Sequence, residues 1–145
     1  MKFIWFKKEQ DSKNWEQAMK LRIQVFCTEQ EVDESLEIDE IDDTAWHLLG
    51  FENDDLIGVG RIFQREGNTY GLGRLAIDIK HRGKKLSAPL VQEMIKKIKE
   101  LGGDEIIIHA QAYIQKMYAN HGFALTTGEV FDEDGIDHIE MVYKY

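Results

Sequence analysis

From Leu86 to Leu101 the apolar residues fall at Leu90, Val91, Met94, Ile95, Ile98 and Leu101, while Lys96, Lys97 and Lys99 occupy the opposite side. That 3.6-residue period predicts an amphipathic helix closed by Gly102-Gly103. Pro89 sits near its start, and the basic residues before it predict a helix that begins early, near Lys84, with a slight distortion at the proline. A second helical spacing, Trp15, Ala18, Leu21, Val25 and Phe26, runs through Asn14–Thr28 behind a strand-like Lys2–Phe6. Three alternating runs, Ala45–Glu52, Leu56–Arg65 and Thr69–Ile77, are separated by short polar gaps and predict an antiparallel meander. Glu105–Ala110 carries Ile106-Ile107-Ile108 and reads as a central strand covered on both faces. Residues 113–121 suit a short helix ended by Gly122, and 123–131 and 138–145 a hairpin around Asp-Glu-Asp-Gly.

This order predicts an α+β, or mixed α/β, domain whose central sheet is mostly antiparallel and flanked by helices. The crossover 69–110 should add one parallel strand pair. A chain of 145 residues, 43% hydrophobic, fits a single domain over 1–145. No apolar run approaches the roughly 20 residues needed to span a bilayer, so no membrane association is expected and the setting is read as cytoplasmic. Cys27 is the only cysteine. It excludes an intrachain disulfide and reads as a buried structural thiol.

The formal charge of −9 argues against nucleic-acid binding, which needs a basic face. Its distribution is uneven. Residues 29–43 carry nine acids and no Lys or Arg, and residues 129–140 carry six more, whereas 80–85 is basic. Either the acidic segments are solvated surface, or they gather a cationic partner opposite an anion-binding turn.

The chemistry concentrates in residues 74–88, where an apolar strand enters a basic turn that opens the long helix. N–H groups at a helix start lack intrahelical partners and lie at the positive end of the helix dipole, so a phosphate can bind there. His81, Arg82, Lys84 and Lys85 add side-chain donors.

The order of elements and the residues together resemble the GNAT superfamily of acyl-CoA-dependent N-acyltransferases, over nearly the whole chain. The family's turn has Arg or Gln, two free positions, Gly, one free position, then Gly or Ala. Here those places hold Arg82, Lys85 and Ser87, so both small-residue positions depart from the pattern. Val25-Phe26 with Glu29-Gln30, Asp39-Glu40-Ile41-Asp42 before His47-Leu48, Tyr118 before Gly122-Phe123, and Gly135-Ile136-Asp137-His138-Ile139 are similar to the ElaA/YjcF-like branch.

The resemblance implies acetyl-CoA as co-substrate and an amine acceptor, with no metal. It places the pyrophosphate at Arg82, Gly83, Lys84, Lys85, Leu86 and Ser87, and the pantetheine arm along the backbone of Leu75, Ala76 and Ile77. Lys85 and Ser87 are expected to tolerate this by adopting helical backbone angles. Tyr118 is implied as the proton donor to the departing thiolate, a role a phenol of pKa about 10 can fill at neutral pH. Gln111, ending its strand, could bind cofactor or acceptor, and His109 is expected to face the other side of that strand.

The base that deprotonates the amine is open among Glu29, Glu31, Asp39, Glu40, His47 and His138. Glu29, Glu31, Glu40 and His138 are taken as candidate acceptor contacts. The acceptor is read as a cationic small molecule or polypeptide amine, and the C-terminal edge strands allow a homodimer. A CoA-binding regulatory domain without transfer activity, or an interaction module using its acidic face, are the alternative readings.

Overall fold

The computed structural model describes every residue from Met1 to Tyr145. Seven strands form one sheet: β1 (Lys2–Lys7), β2 (Trp46–Glu52), β3 (Asp55–Gln64), β4 (Thr69–Ile77), β5 (Glu105–Gln111), β6 (Ala124–Glu133) and β7 (Ile136–Lys144), in the order β1-β2-β3-β4-β5-β7-β6. All neighbours are antiparallel except β4 and β5. That parallel pair is short, with Thr69 opposite Glu105 and Tyr70 opposite Ile106. Beyond Tyr70 the two strands diverge and the sheet opens into a cleft.

Helices α1 (Ser12–Arg22) and α2 (Glu34–Glu37) cover one face, and α3 (Ser87–Glu100) and α4 (Gln115–Asn120) the other. The 3.6-residue stripe of α3 buries Leu90, Val91, Met94 and Ile98. Leu90 and Met94 come close because Gly50, Gly58 and Gly60 lie beneath them: a Cβ on Gly58 would meet Leu90 at 2.5 Å. Together with Leu48, Ile62, Ile106, Ile108 and Met141 they form the larger core; Phe6, Leu21, Val25, Leu49 and Val59 form the smaller one under α1.

Three local expectations change. α3 starts at Ser87, not near Lys84, because Lys85 has φ +58 and breaks the helical path. Pro89 therefore lies in the first turn, where its missing N–H has no helical carbonyl to serve, and no distortion is needed. α1 continues as wide π turns over Ile23–Glu29, and the acidic stretch contains α2 and a 3₁₀ turn at Glu40–Asp43. Finally, β5 is covered on one face only. Ile106, Ile108 and Ala110 are buried, while Ile107, His109 and Gln111 lie on the other face with His109 exposed.

Candidate functional site

The cleft begins with a defect in β4. Val59 pairs with Ala76 but Arg61 pairs with Gly73, so β4 carries one extra residue there. Arg74 takes up the mismatch at φ +49. Such a bulge reverses side-chain alternation: Leu72 enters the α3-side core, whereas Ala76, four residues on, enters the α1-side core. It also leaves backbone groups without a ladder partner beside the diverging strands.

A cavity of about 960 Å³ follows the divergence. One half is lined by Leu75, Ala76, Ile77, His81, Arg82, Gly83, Lys85, Leu86, Ser87, Gln111 and Tyr118, so most of the residues singled out in the sequence for an acyl-CoA meet here. Lys84 does not line it. Helix α3 opens on this half with Leu86 as its N-cap and no side chain capping its first N–H groups. Gly83, at φ +79, faces open space where a Cβ would meet nothing within 4 Å. Uncapped donors, a bare glycine and adjacent cationic side chains are what a pyrophosphate requires, so these residues fit coenzyme A. Lys85 does not take the expected helical conformation. Its left-handed φ shows that glycine suits this position for backbone reasons, and that lysine occupies it against a steric cost.

Arg82 is already engaged. Its Nε donates to Ile77 O at 3.0 Å and its Nη2 to Glu29 Oε1 at 3.0 Å. Glu29 thus pairs with the basic turn rather than lining the acceptor half. The next residue, Gln30, exchanges amide hydrogen bonds with Gln111 across the cleft at 2.9 and 3.3 Å and donates to Tyr113 Oη. Tyr118 is buried with its ring edge-on to Phe123 at 5.6 Å. Burial, with Tyr113 nearby, pushes its phenol pKa upward, which keeps the proton on the oxygen at neutral pH.

The other half of the cleft is lined by residues that the sequence did not bring together: Glu37, Asp39, Arg61, Arg65, His109, Glu133 and His138. Of the proposed acceptor contacts only His138 is among them; Glu31 and Glu40 do not line the cleft. His109 lies on the same strand face as Gln111, not the opposite one, because residues two apart in a strand share a face. That period-two rule, applied to β5, was the signal available for finding it. A similar signal lay at the end of β3, where Arg61, Phe63 and, just past the strand, Arg65 all line the cleft and both guanidiniums lie over the Phe63 ring.

Much of the acidic segment proves structural. Asp42 is 0% exposed and accepts from Arg22 Nη1 and Arg61 Nη1, both at 2.8 Å. Glu37 accepts from Arg22 Nε at 2.8 Å, and Asp39 from Arg61 and Arg74. The guanidiniums hold the Asp42 carboxyl well below the usual carboxylate range despite its burial. His47 is buried against this cluster, its Nε2 at 3.0 Å from Asp42 O, and desolvation lowers its pKa. Cys27 is only half-buried, and burial and nearby acids raise its pKa, which disfavours the reactive thiolate.

The sequence profile of the acetyltransferase (GNAT) domain matches residues 9–145. The chain is 28% identical over 143 residues to the uncharacterized N-acetyltransferase YjcF of Bacillus subtilis, covering 98% of this chain and 99% of that one. It is 31% identical over 127 residues to ElaA of Escherichia coli, covering 85% and 82%. The crystal structure of E. coli ElaA superposes with a TM-score of 0.87 over 99% of this chain and all of the other, at 28% identity. An acyl-CoA N-acyltransferase from Pseudomonas aeruginosa gives 0.86 at 27% identity, with 98% of each chain covered. With the diverging parallel pair, the bulged β4 and the uncapped helix start on one cleft, these likenesses agree: the chain belongs to the GNAT acetyltransferase family.

Proposed function

We propose that the protein is an N-acetyltransferase that uses acetyl-CoA to acetylate a primary amine of a small molecule or polypeptide, by direct attack of the amine on the thioester. The observation that carries this reading is the β4/β5 divergence, which puts an uncapped, cation-flanked helix start and the buried Tyr118 on the same cleft. The turn Arg82–Ser87 would hold the pyrophosphate, and the backbone of Leu75, Ala76 and Ile77 the pantetheine arm. An N–H freed by the bulge would stabilise the developing oxyanion. Tyr118 would protonate the departing thiolate. Glu133, on the opposite half, would attract an ammonium group, which supports a cationic acceptor.

The test is release of free CoA from acetyl-CoA across a panel of primary amines, comparing wild type with Tyr118→Phe. Loss of a general acid lowers turnover by about 10²-fold or more; equal rates for the two proteins would sink the role of Tyr118. A CoA-binding domain without transfer is the second reading, favoured by Lys85 and Ser87 standing where the family's turn has small residues. It predicts stabilisation by acetyl-CoA with no amine-dependent thiol release.

A further inference from the structure

At neutral pH a primary alkylamine is almost entirely an ammonium ion, since its pKa is about 10.4. An N-acetyltransferase must therefore accept a proton from its substrate before attack and pass it on. One group of side chains spans the path from the cleft to the outer surface. His138, on β7, is 8% exposed and lines the cleft. Its Nδ1 lies 2.7 Å from Ile136 O, which can only accept, so Nδ1 carries the hydrogen and Nε2 of the neutral ring presents a lone pair. That Nε2 is 3.6 Å from Glu133 Oε2. Glu133 Oε1 is in turn 3.1 Å from His109 Nδ1, and His109 Nε2 is 3.7 Å from Glu140 Oε2.

The placement follows from strand register. Gln111 pairs with His138, His109 with Glu140 and Phe131 with His138, so these side chains share one face of β5, β7 and β6. Phe131 stacks on His138 and meets His109 edge-on at 5.2 Å, fixing both rings. Glu140 lies outside the cleft. It accepts from Thr126 Oγ1 at 2.8 Å and lines a separate surface depression with Thr127, Glu129 and Val130. Titratable groups thus run along one face of the sheet, from His138 in the cleft to the Glu140 carboxylate outside it.

We propose that His138 and Glu133, with His109 and Glu140 behind them, form the proton exit of the acceptor half, with His138 Nε2 as the group that takes the proton from the substrate ammonium. This inference rests on the acyl-transfer reading above. The ammonium gives one proton to His138 Nε2, forming an imidazolium beside the Glu133 carboxylate. Glu133 takes that proton and passes it to solvent from its exposed side, while the His109 Nδ1–H holds the carboxylate in place and His109 Nε2 faces Glu140. The neutral amine then forms the C–N bond as the C–S bond breaks. Tyr118 protonates the thiolate and is reprotonated by the second proton shed as the amide forms. Net, one proton leaves to solvent at Glu133. The charged groups around the relay are Arg65, just after β3, and Arg74 from β4, whose fields reach Glu133, with Arg65 acting on Glu140 as well. Glu133 is held below the ordinary carboxyl value by its hydrogen bond to His109, so it is ionised and balances the His138 imidazolium until the proton leaves.

The experiment combines kinetics with NMR of the histidine rings, using wild type, His138→Asn, Glu133→Gln and His109→Asn. CoA release is followed with acetyl-CoA and a panel comprising a peptide α-amine, a lysine ε-amine, putrescine and ethanolamine. Acetyl-CoA binding by calorimetry reports that each variant is folded. Loss of the relay lowers the rate at pH 7 by about 10²-fold or more. The deficit should shrink as the pH approaches the pKa of the amine, because free amine then needs no acceptor. It should also be smaller for the α-amine, of pKa about 8, than for the ε-amine, of pKa about 10.4. A purely structural role lowers the rate equally at every pH and for every amine, and that result overturns the proposal.

Nitrogen-resolved NMR of the histidine rings gives a readout independent of turnover. The His138 ring should show the Nδ1–H tautomer fixed by Ile136 O; an Nε2–H tautomer, with no lone pair to offer the substrate, overturns the proposal. If wild type binds acetyl-CoA but releases none to any amine, the transfer reading falls and the relay with it. If wild type transfers and the variants keep its pH profile, the relay alone falls.

Discussion

Asp42 joins three segments far apart in the chain, and its replacement by asparagine tests whether the acidic stretch is structure or surface. The carboxylate is fully buried, accepts from Arg22 Nη1 and Nη2 at 2.8 and 3.1 Å and from Arg61 Nη1 at 2.8 Å, and receives the Asp39 N–H at 3.1 Å. Asp42→Asn keeps the shape and one acceptor but removes the negative charge and turns an amide N–H₂ toward a guanidinium. Two buried arginines, 1% and 3% exposed, then share one fewer carboxylate. Removing one partner of a buried ion pair costs about 3–5 kcal/mol, a large part of the roughly 5–15 kcal/mol that holds a domain folded. For a chain of this size that is a fall in Tm of roughly 6–20 °C. The assay is thermal and urea unfolding of Asp42→Asn beside Asp43→Asn. Asp43 pairs with Lys8 at 2.9 Å on the exposed surface, and its loss should cost no more than about 1 kcal/mol. Equal and small losses for the two variants would refute the assignment of residues 37–42 to a structural network.

Three further outcomes follow from the same geometry. Lys85→Gly should leave stability unchanged or raise it by up to about 1 kcal/mol, since it relieves a left-handed φ; a β-branched Lys85→Val should lower it, and a clear loss for glycine in urea unfolding contradicts the backbone account. Glu29→Gln frees Arg82 from a partly exposed ion pair of about 0.2–1 kcal/mol, so the Kd for acetyl-CoA should fall by roughly 1.5- to 5-fold in calorimetry, and weaker binding overturns the competition. Acid should destabilise the protein in two stages. His47, Asp39 and Asp42 all have folded pKa values below their unfolded ones, so each contributes stability at higher pH that is lost as the pH falls. The first loss begins below the unfolded histidine value of about 6.5 and the second below the aspartate value of about 3.9; a Tm that holds level from pH 7 to pH 4 excludes the first.

What the sequence determined by itself were the features written in short-range patterns. The stripe of α3, the meander, the crossover and the basic turn at a helix start could all be read from residues within one or two turns of one another. The family resemblance added Tyr118 and the strand before the turn, and both line the cleft. Tertiary structure decided the rest, because those features depend on partners many residues away. Lys85 and Ser87 look alike as departures from a glycine pattern, yet one is left-handed and the other helical, according to how the turn meets α3. Glu37 and Asp42 look like solvated acids until Arg22, Arg61 and Arg74 fold around them. His109, Glu133, His138 and Glu140 belong to three strands, and only the register of β5, β7 and β6 brings them within 3.1 to 3.7 Å of their neighbours in the relay. Local periodicity selects which elements form; pairing register and buried charge compensation are long-range constraints, and they select which side chains meet.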